Sequence, residues 1–274
     1  MVIENFENSS NSELDAIDIP SGVEELCDYA YFMCSNAIAV TVPNTVKKIG
    51  ENVFGKCFNL KEIAFPDSVE TIGKEVCHRC VKLEHVKLPK MLKKIPEESF
   101  SKCFNLKGVS VGDNVKEIGD NAFSFCFNLT YFHFPEGLES IGESAFGGCG
   151  LKSISFPNTL KRIGFTSFCN CRFIEDLYIP DSVETIELEA FDNCQGLKTV
   201  RLPGNLKEIS NSAFSNCFSL ERIDIPPSVE RIDVCAFENC YNLKEVNIGN
   251  PSCSIDKLAF LNSPVSKKLN SGSR

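Results

Sequence analysis

The sequence predicts a repeat solenoid, mostly β and in the α/β class by convention, with one parallel strand per 23-residue rung. Three observations predict it. The spacing of apolar residues in Pro43–Phe65 recurs about ten times. Alternating apolar pairs precede a Pro or Gly in each copy. Cysteine recurs every 23 residues, with one step of 22, at Cys34, Cys57, Cys80, Cys103, Cys126, Cys149, Cys171, Cys194, Cys217 and Cys240.

The repeat divides the chain into three segments. Residues 1–13 are polar and carry no repeat, which predicts an N-terminal tail. Residues 14–263 predict a single solenoid of about ten to eleven rungs, and residues 264–274 predict a polar C-terminal tail. In the first rung Ala37 replaces the leucine found at Leu60 and its equivalents, as expected of an atypical terminal repeat.

The strands are predicted from pairs of apolar residues with a period of two. A following Pro cannot donate to a ladder and so ends the strand at a corner. The predicted inward pairs are Ile63 and Phe65, Val86 and Leu88, Val109 and Val111, Phe132 and Phe134, Ile154 and Phe156, Leu177 and Ile179, Val200 and Leu202, Ile223 and Ile225, and Val246 and Ile248.

Beyond each corner, apolar residues come three and four apart. This spacing predicts short helical or 3-10 turns, or loops, on the outer wall, because about a dozen residues leave no room for a long helix. Glycines recur seven residues after the corner, where we expect a positive φ. They are Gly50, Gly73, Gly119, Gly142 and Gly164.

The fifteen cysteines predict a ladder of small buried side chains with free thiols. Parallel side chains on stacked rungs do not match the angular geometry of a disulfide, and free thiols favour a reducing compartment. Cys77-His78-Arg79-Cys80 also has the spacing of a zinc or redox motif. However, a second such pair is absent, and Cys77 and Cys80 fit the repeat as buried residues.

Charge and composition exclude several classes of protein. The net charge is −9, most of it in residues 1–46, so no basic stripe is present to bind nucleic acid. No apolar run reaches the ~18 residues of a membrane span. The first residues lack the basic and apolar regions of a secretory signal. From the sequence as given we therefore expect a cytoplasmic protein.

The pattern in Pro43–Phe65 and Gly112–Phe134, with its Ala-Phe pair, cysteine and corner Pro, resembles the BspA-like, Treponema-type leucine-rich repeats. The resemblance covers about residues 14–260. It implies a curved leucine-rich-repeat coil with a parallel sheet on its concave face. It also implies an adhesin-like protein at the cell surface that binds host matrix or cell-surface proteins.

Residues between the inward pairs form two exposed columns on the predicted sheet. Near the middle these columns concentrate residue types that dominate binding at interfaces. We predict that the concave face binds a protein partner through His85, Lys87, Tyr131, His133, Asp176, Tyr178 and Arg201.

No P-loop, dinucleotide-binding glycine pattern or nucleophile elbow is present, so we predict a non-enzymatic protein with no catalytic residue, metal or cofactor. We also predict that the protein is a monomer. Four alternatives remain open. The protein is a surface adhesin, an intracellular scaffold, a thiol or zinc protein built on Cys77 and Cys80, or a purely structural spacer.

Overall fold

The computed structural model describes residues 2–3 and 13–267. It is a parallel solenoid of about ten turns, about 23 residues apart, with almost no helix, and this confirms the predicted fold class. Most strands of three or four residues lie where the alternating pairs predict them. They are Ala16–Asp18, Ala39–Thr41, Glu62–Ala64, His85–Lys87, Gly108–Ser110, Asp176–Tyr178, Thr199–Arg201, Arg222–Ile225 and Glu245–Ile248.

The structure adds a second column of two-residue strands just beyond each corner. In each strand whose side chains are described, the second residue is turned inward and the first toward solvent. These strands are Val2–Ile3, Glu25–Leu26, Lys48–Ile49, Thr71–Ile72, Lys94–Ile95, Glu117–Ile118, Ser140–Ile141, Arg162–Ile163, Thr185–Ile186, Glu208–Ile209, Arg231–Ile232 and Ser254–Ile255.

The chain divides into two compact units, residues 1–138 and 139–274. In the first unit, strands pair in parallel with an offset of 23 residues, as in His85 with Gly108. In the second unit the first pair, Ser140 with Arg162, has an offset of 22, and the following pairs return to 23. The single cysteine step of 22 residues, between Cys149 and Cys171, therefore shortens one turn and leaves the register of the rungs intact.

Two predicted strands do not form. Residues 131–134 and 154–156 are not assigned to strands, although their side chains still alternate between exposed and buried. Phe132 and Phe134 are both buried, with ring centroids 5.0 Å apart. Residues 154–156 form no strand with the inward pair Ile154 and Phe156, whereas the rung with Ile63 and Phe65 does form one, so the types of the inward residues do not decide whether a strand forms.

The outer wall consists of turns that stack by hydrogen bonds from rung to rung. For example, the N–H of Cys77 donates to the carbonyl of Ser99 and the N–H of Arg79 to that of Ser101, both at 2.8 Å. Most rungs hold two residues with a φ near +55°, four positions apart, such as Glu75 and Arg79. The spacing of three and four residues thus encodes left-handed turns.

The prediction of positive φ at the recurrent glycines is wrong. Within the described residues the glycines with positive φ are Gly22 and Gly148, and the residues that carry the turns are mostly not glycine. Glycine is needed at Gly73 for a different reason. A Cβ there would lie 2.5 Å from the carbonyl carbon of Gly50, so the recurrent glycine allows neighbouring rungs to approach closely.

The cysteine ladder is confirmed, since all fifteen cysteines are free and eleven are buried. The structure shows why the residue is cysteine. The Sγ of Cys103 lies 3.2 Å from the carbonyl oxygen of Cys77, and that of Cys217 lies 3.5 Å from the carbonyl oxygen of Phe191. Each ladder thiol of this kind gives a buried carbonyl of the preceding rung a second hydrogen bond.

The segments predicted as tails contain ordered contacts where they are described. Val2–Ile3 pairs in parallel with Glu25–Leu26, so part of segment 1–13 belongs to a sheet. Val265, inside segment 264–274, is buried. Residues 1, 4–12 and 268–274 of the two predicted tails lie outside the described residues.

Candidate functional site

The candidate site is the long-strand face, defined as the solvent-facing residues of the three- and four-residue strands and of the equivalent segments 131–134 and 154–156. All seven predicted residues lie on it. His85, Lys87, Tyr131 and His133 belong to the first unit, whereas Asp176, Tyr178 and Arg201 belong to the second. The face is therefore described separately for each unit.

In the first unit, His85 and Lys87 border a shallow depression of about 570 Å³. Small residues create it, because Ala64 and Gly108 stand on the strands at either side. A Cβ on Gly108 would lie only 3.2 Å from Nδ1 of His85. The glycine thus leaves space for the imidazole, and the depression has the size of a single side chain or a few.

Tyr131 and His133 lie on the segment that lost its strand. Tyr131 is 62% exposed. Nε2 of His133 lies 3.8 Å from a carboxylate oxygen of Asp113, which is too long for a hydrogen bond. Both side chains are therefore accessible to a partner.

In the second unit, Tyr178 and Arg201 face each other across paired strands. The guanidinium carbon of Arg201 lies 4.6 Å from the centroid of the Tyr178 ring, a cation–π contact. Nη2 of Arg201 also donates to both carboxylate oxygens of Asp181, at 3.0 and 3.1 Å. We call Tyr178, Arg201 and Asp181 the Tyr–Arg cluster.

Asp181 is itself held in place by the backbone of the next rung. Its Oδ1 accepts a hydrogen bond of 2.7 Å from the N–H of Gly204. The hydrogen bond from the Arg201 side chain lowers the pKa of the Asp181 carboxyl most, and the hydrogen bond from the Gly204 N–H lowers it further. The carboxylate is therefore charged at neutral pH. The guanidinium group of Arg201 is thus held both by a charged partner and by an aromatic ring.

Asp176 is the third predicted residue of the second unit. Its carboxylate accepts a short hydrogen bond from the hydroxyl of Thr199, the residue opposite it on the paired strand. Asp176 therefore lies on the same pair of strands as the Tyr–Arg cluster, two residues from Tyr178.

Sequence reasoning missed Asp181, although a signal for it exists. The sequence PDSVE occurs twice, at 66–70 and at 180–184. In both copies the aspartate accepts a hydrogen bond from a backbone N–H of the next rung, Asp67 from Lys90 and Asp181 from Gly204. An Asp that directly follows the corner Pro is thus able to orient a side chain on the adjacent strand.

The alternative of a thiol or zinc site at Cys77 and Cys80 lacks an accessible thiolate. Both side chains are fully buried, as the repeat predicts, and Sγ of Cys80 lies 3.0 Å from the carbonyl oxygen of Phe54. Burial raises the pKa of both thiols, whereas the metal-binding form is the thiolate. A different group of metal-ligating residues lies nearby and includes His78.

Comparison with known families gives one match that spans nearly the whole chain. The family described as BspA type Leucine rich repeat region matches in six copies, over residues 3–130, 116–187 and 161–273. A search of the curated proteins found no significant match. No helix within 2–3 and 13–267 is long and apolar enough to cross a membrane.

Solved structures of bacterial leucine-rich repeat proteins are similar over most of the chain. A leucine-rich repeat protein from Bacteroides ovatus is 27% identical, with a TM-score of 0.70 over 93% of this chain and 77% of that one. A leucine rich cell surface protein from Faecalibacterium prausnitzii is 25% identical, with a TM-score of 0.54 over 90% and 78%. The pneumococcal vaccine antigen PcpA, 20% identical with a TM-score of 0.63 over 94% and 76%, shares the fold.

Proposed function

Because the chain belongs to the BspA-type leucine-rich repeat family, we propose that it is a non-enzymatic module that binds a protein partner through the long-strand face. Leucine-rich repeat folds generally mediate protein–protein interactions, and such proteins are typically not enzymes. We place the centre of the contact at the Tyr–Arg cluster of the second unit.

The geometry of the Tyr–Arg cluster is the observation that carries this proposal. Tyrosine and arginine are enriched among residues that dominate binding energy at interfaces. Ordering a flexible side chain on binding costs roughly 0.5–1.5 kcal/mol. Arg201 is already held by Asp181 and by the Tyr178 ring, while Tyr178 remains 53% exposed. A partner would thus meet an exposed pair that loses little freedom on binding.

The predicted residues of the first unit supply a second contact region in this proposal. The depression beside His85 and Lys87 has the size to accept a partner side chain. Tyr131 offers an exposed ring and His133 a polar one. Within the second unit, Asp176 extends the Tyr–Arg cluster along its strand.

The proposal is tested by photo-crosslinking in the source cells. A photoreactive phenylalanine analogue is introduced at position 178, and in a second protein at position 241, where Tyr241 is similarly exposed but lies on a turn. We expect a discrete crosslinked product from position 178 and none from position 241. The product should weaken at least tenfold when Arg201→Ala and Asp181→Ala are combined.

Circular dichroism of each purified variant controls for folding, since the changed side chains are exposed. A discrete product from position 241 alone, or a product from position 178 that does not respond to the paired substitution, would place the partner elsewhere on the solenoid.

The place of action distinguishes two forms of the proposal. The free thiols of the ladder suit a reducing compartment and favour an intracellular scaffold. The F. prausnitzii relative is a cell surface protein, and this favours an adhesin that binds host matrix or neighbouring cells. Labelling intact cells with a membrane-impermeant, amine-reactive biotin separates them, because only a surface protein is captured while a cytosolic marker stays unlabelled.

A further inference from the structure

Three potential metal ligands come together on the turn wall of the first unit. Glu75 and Glu98 occupy equivalent positions of successive rungs, and both have a left-handed backbone, with φ of 58° and 51°. His78 lies three residues after Glu75. One donor atom from each of the three side chains lies within 4.8 Å of the others, the one such group found within residues 2–3 and 13–267.

The imidazole of His78 is poorly satisfied by the protein alone. Its side chain is only 13% exposed, and its Nδ1 is fully buried without a hydrogen-bond partner. The nearest carboxylate oxygen, Oε2 of Glu98, lies 3.3 Å away. A charge-assisted hydrogen bond would be about 2.7–2.9 Å long. A buried polar atom left without a partner destabilises the fold by roughly 1–3 kcal/mol. A ligand bound to Nδ1 of His78 would offset this cost.

A metal ion matches this spacing. Zn²⁺ binds histidine nitrogen and carboxylate oxygen at about 2.0–2.2 Å, with tetrahedral geometry. Two ligand atoms of one tetrahedral ion are therefore about 3.3–3.5 Å apart. The separation of 3.3 Å between Nδ1 of His78 and Oε2 of Glu98 agrees with that value. We propose that His78, Glu98 and Glu75 bind a zinc-type divalent ion that links two neighbouring rungs.

The surroundings prepare these residues as ligands. Nδ2 of Asn52 donates to Oε2 of Glu75 at 2.9 Å. This hydrogen bond orients the Glu75 carboxylate, as outer-shell partners commonly do at metal sites, and leaves its other oxygen for the ion. The Glu98 side chain is 43% exposed, which gives an ion access from solvent.

This site lies within the motif that suggested zinc chemistry in the sequence, but it uses a different residue. Cys77 and Cys80 point into the core, whereas His78 between them lies on the wall beside the next rung. The left-handed turns separate the side chains in this way, and spacing along the chain does not show it.

The test uses the full-length protein, stripped of metal with a chelator and titrated with Zn²⁺ by isothermal calorimetry. We expect one ion per chain and a rise in melting temperature, because an ion that binds only the folded rungs stabilises them. His78→Ala and, separately, Glu98→Gln should weaken binding at least tenfold. Glu117→Gln, which neutralises an exposed carboxylate of the same unit outside the proposed site, should leave binding unchanged.

Titration with Co²⁺ identifies the ligand atoms. Nitrogen and oxygen ligands give weak visible bands, whereas cysteine ligands give an intense near-ultraviolet charge-transfer band. That intense band would assign the ion to Cys77 and Cys80 and overturn the proposal. Failure of the protein to bind Zn²⁺, or equal Zn²⁺ affinity in Glu98→Gln and the unchanged protein, would also overturn the proposal. The Glu98→Gln variant should fold because the Glu98 side chain is partly exposed. None of these outcomes bears on the Tyr–Arg cluster.

Discussion

The two units build the same turn from different residues. The residue just before each ladder cysteine has a φ near +60° in both units. In the second unit it is Asn before four of the five ladder cysteines, at Asn170, Asn193, Asn216 and Asn239, and Asn is the non-glycine residue that tolerates this conformation best. Asn262 has the same conformation one rung further on, before Ser263. In the first unit the same position holds Met33, Lys56, Arg79, Lys102 and Phe125.

The asparagines also bond to one another. Nδ2 of Asn239 donates to Oδ1 of Asn216 at 2.8 Å, and Nδ2 of Asn262 donates to Oδ1 of Asn239 at 2.9 Å. The core of the second unit is regular as well, with six phenylalanine rings stacked 5.1–5.6 Å apart, from Phe146 to Phe260. In the first unit Cys77 takes a ring position between Phe54 and Phe100.

This difference shows that packing between rungs imposes the turn. A left-handed conformation of a residue other than Gly or Asn costs of order 1–3 kcal/mol, and the first unit accepts that cost in rung after rung because its buried core and rung-to-rung hydrogen bonds outweigh it. The first unit is also where Glu75, His78 and Glu98 meet. Where the first unit departs from the regular repeat, turn positions that hold Asn in the second unit hold other residue types.

The largest expected effect tests whether the units share one kind of core. Leu129 in the first unit and Leu220 in the second are both fully buried at equivalent positions. We expect Leu129→Ala and Leu220→Ala each to lower the free energy of unfolding by about 2–5 kcal/mol, measured by urea unfolding with circular dichroism. A loss below about 1 kcal/mol in either unit would contradict the register assigned there.

An intermediate effect is expected at the left-handed turn itself. Asn239→Ala removes two ladder hydrogen bonds and the residue best suited to the conformation, so we expect a loss of about 1–3 kcal/mol. Lys102→Ala, the matched change in the first unit, removes no such ladder and should change stability by less than about 0.5 kcal/mol. Equal losses in the two urea titrations would mean that the asparagine ladder contributes nothing.

The smallest effect should be the same in both units. Cys103→Ala and Cys217→Ala each remove one S–H···O bond, which is worth about 1 kcal/mol at pH 7. Burial raises the pKa of Cys103 to about 12, from an ordinary value of 9.0. The stability that the thiol contributes is therefore complete below pH 9.0 and is lost as the pH rises above it, because the unfolded thiol ionises first.

The stability difference between the wild type and either cysteine variant should accordingly narrow between about pH 9 and pH 11. Urea titrations at several pH values measure it. A difference that stayed constant up to pH 11 would mean that the folded and unfolded thiols have the same pKa.

Much of the fold was predictable because the same sequence pattern recurs in about ten rungs. The alternation of Ile63 and Phe65, the corner prolines and the cysteine spacing each specify an element of every rung. The prediction failed where a rung departs from that average. At residues 131–134 the alternating pattern is intact but no strand forms. At Gly73 the pattern showed that glycine is needed, but the predicted reason, a positive φ, was wrong.

For the long-strand face, the sequence predicted which residues are exposed but not how they are held. Tyr178 and Arg201 were predicted from strand periodicity, and their place in adjacent strands follows from the 23-residue period. Asp181, which fixes Arg201, was missed because it lies beyond the corner, outside the two exposed columns of the strands. Contacts between a strand and the next corner depend on side-chain conformation, which spacing does not give.

By itself, the sequence determined the period, the buried face of each rung and the free state of the thiols, because all three follow from residue type and spacing. Only the tertiary structure decided what the turns bring together. Residues with a left-handed backbone conformation turn the side chain of His78 away from those of Cys77 and Cys80 and toward Glu98 of the next rung. This conformation is unfavourable for most of the residues that adopt it, and packing between rungs offsets its cost.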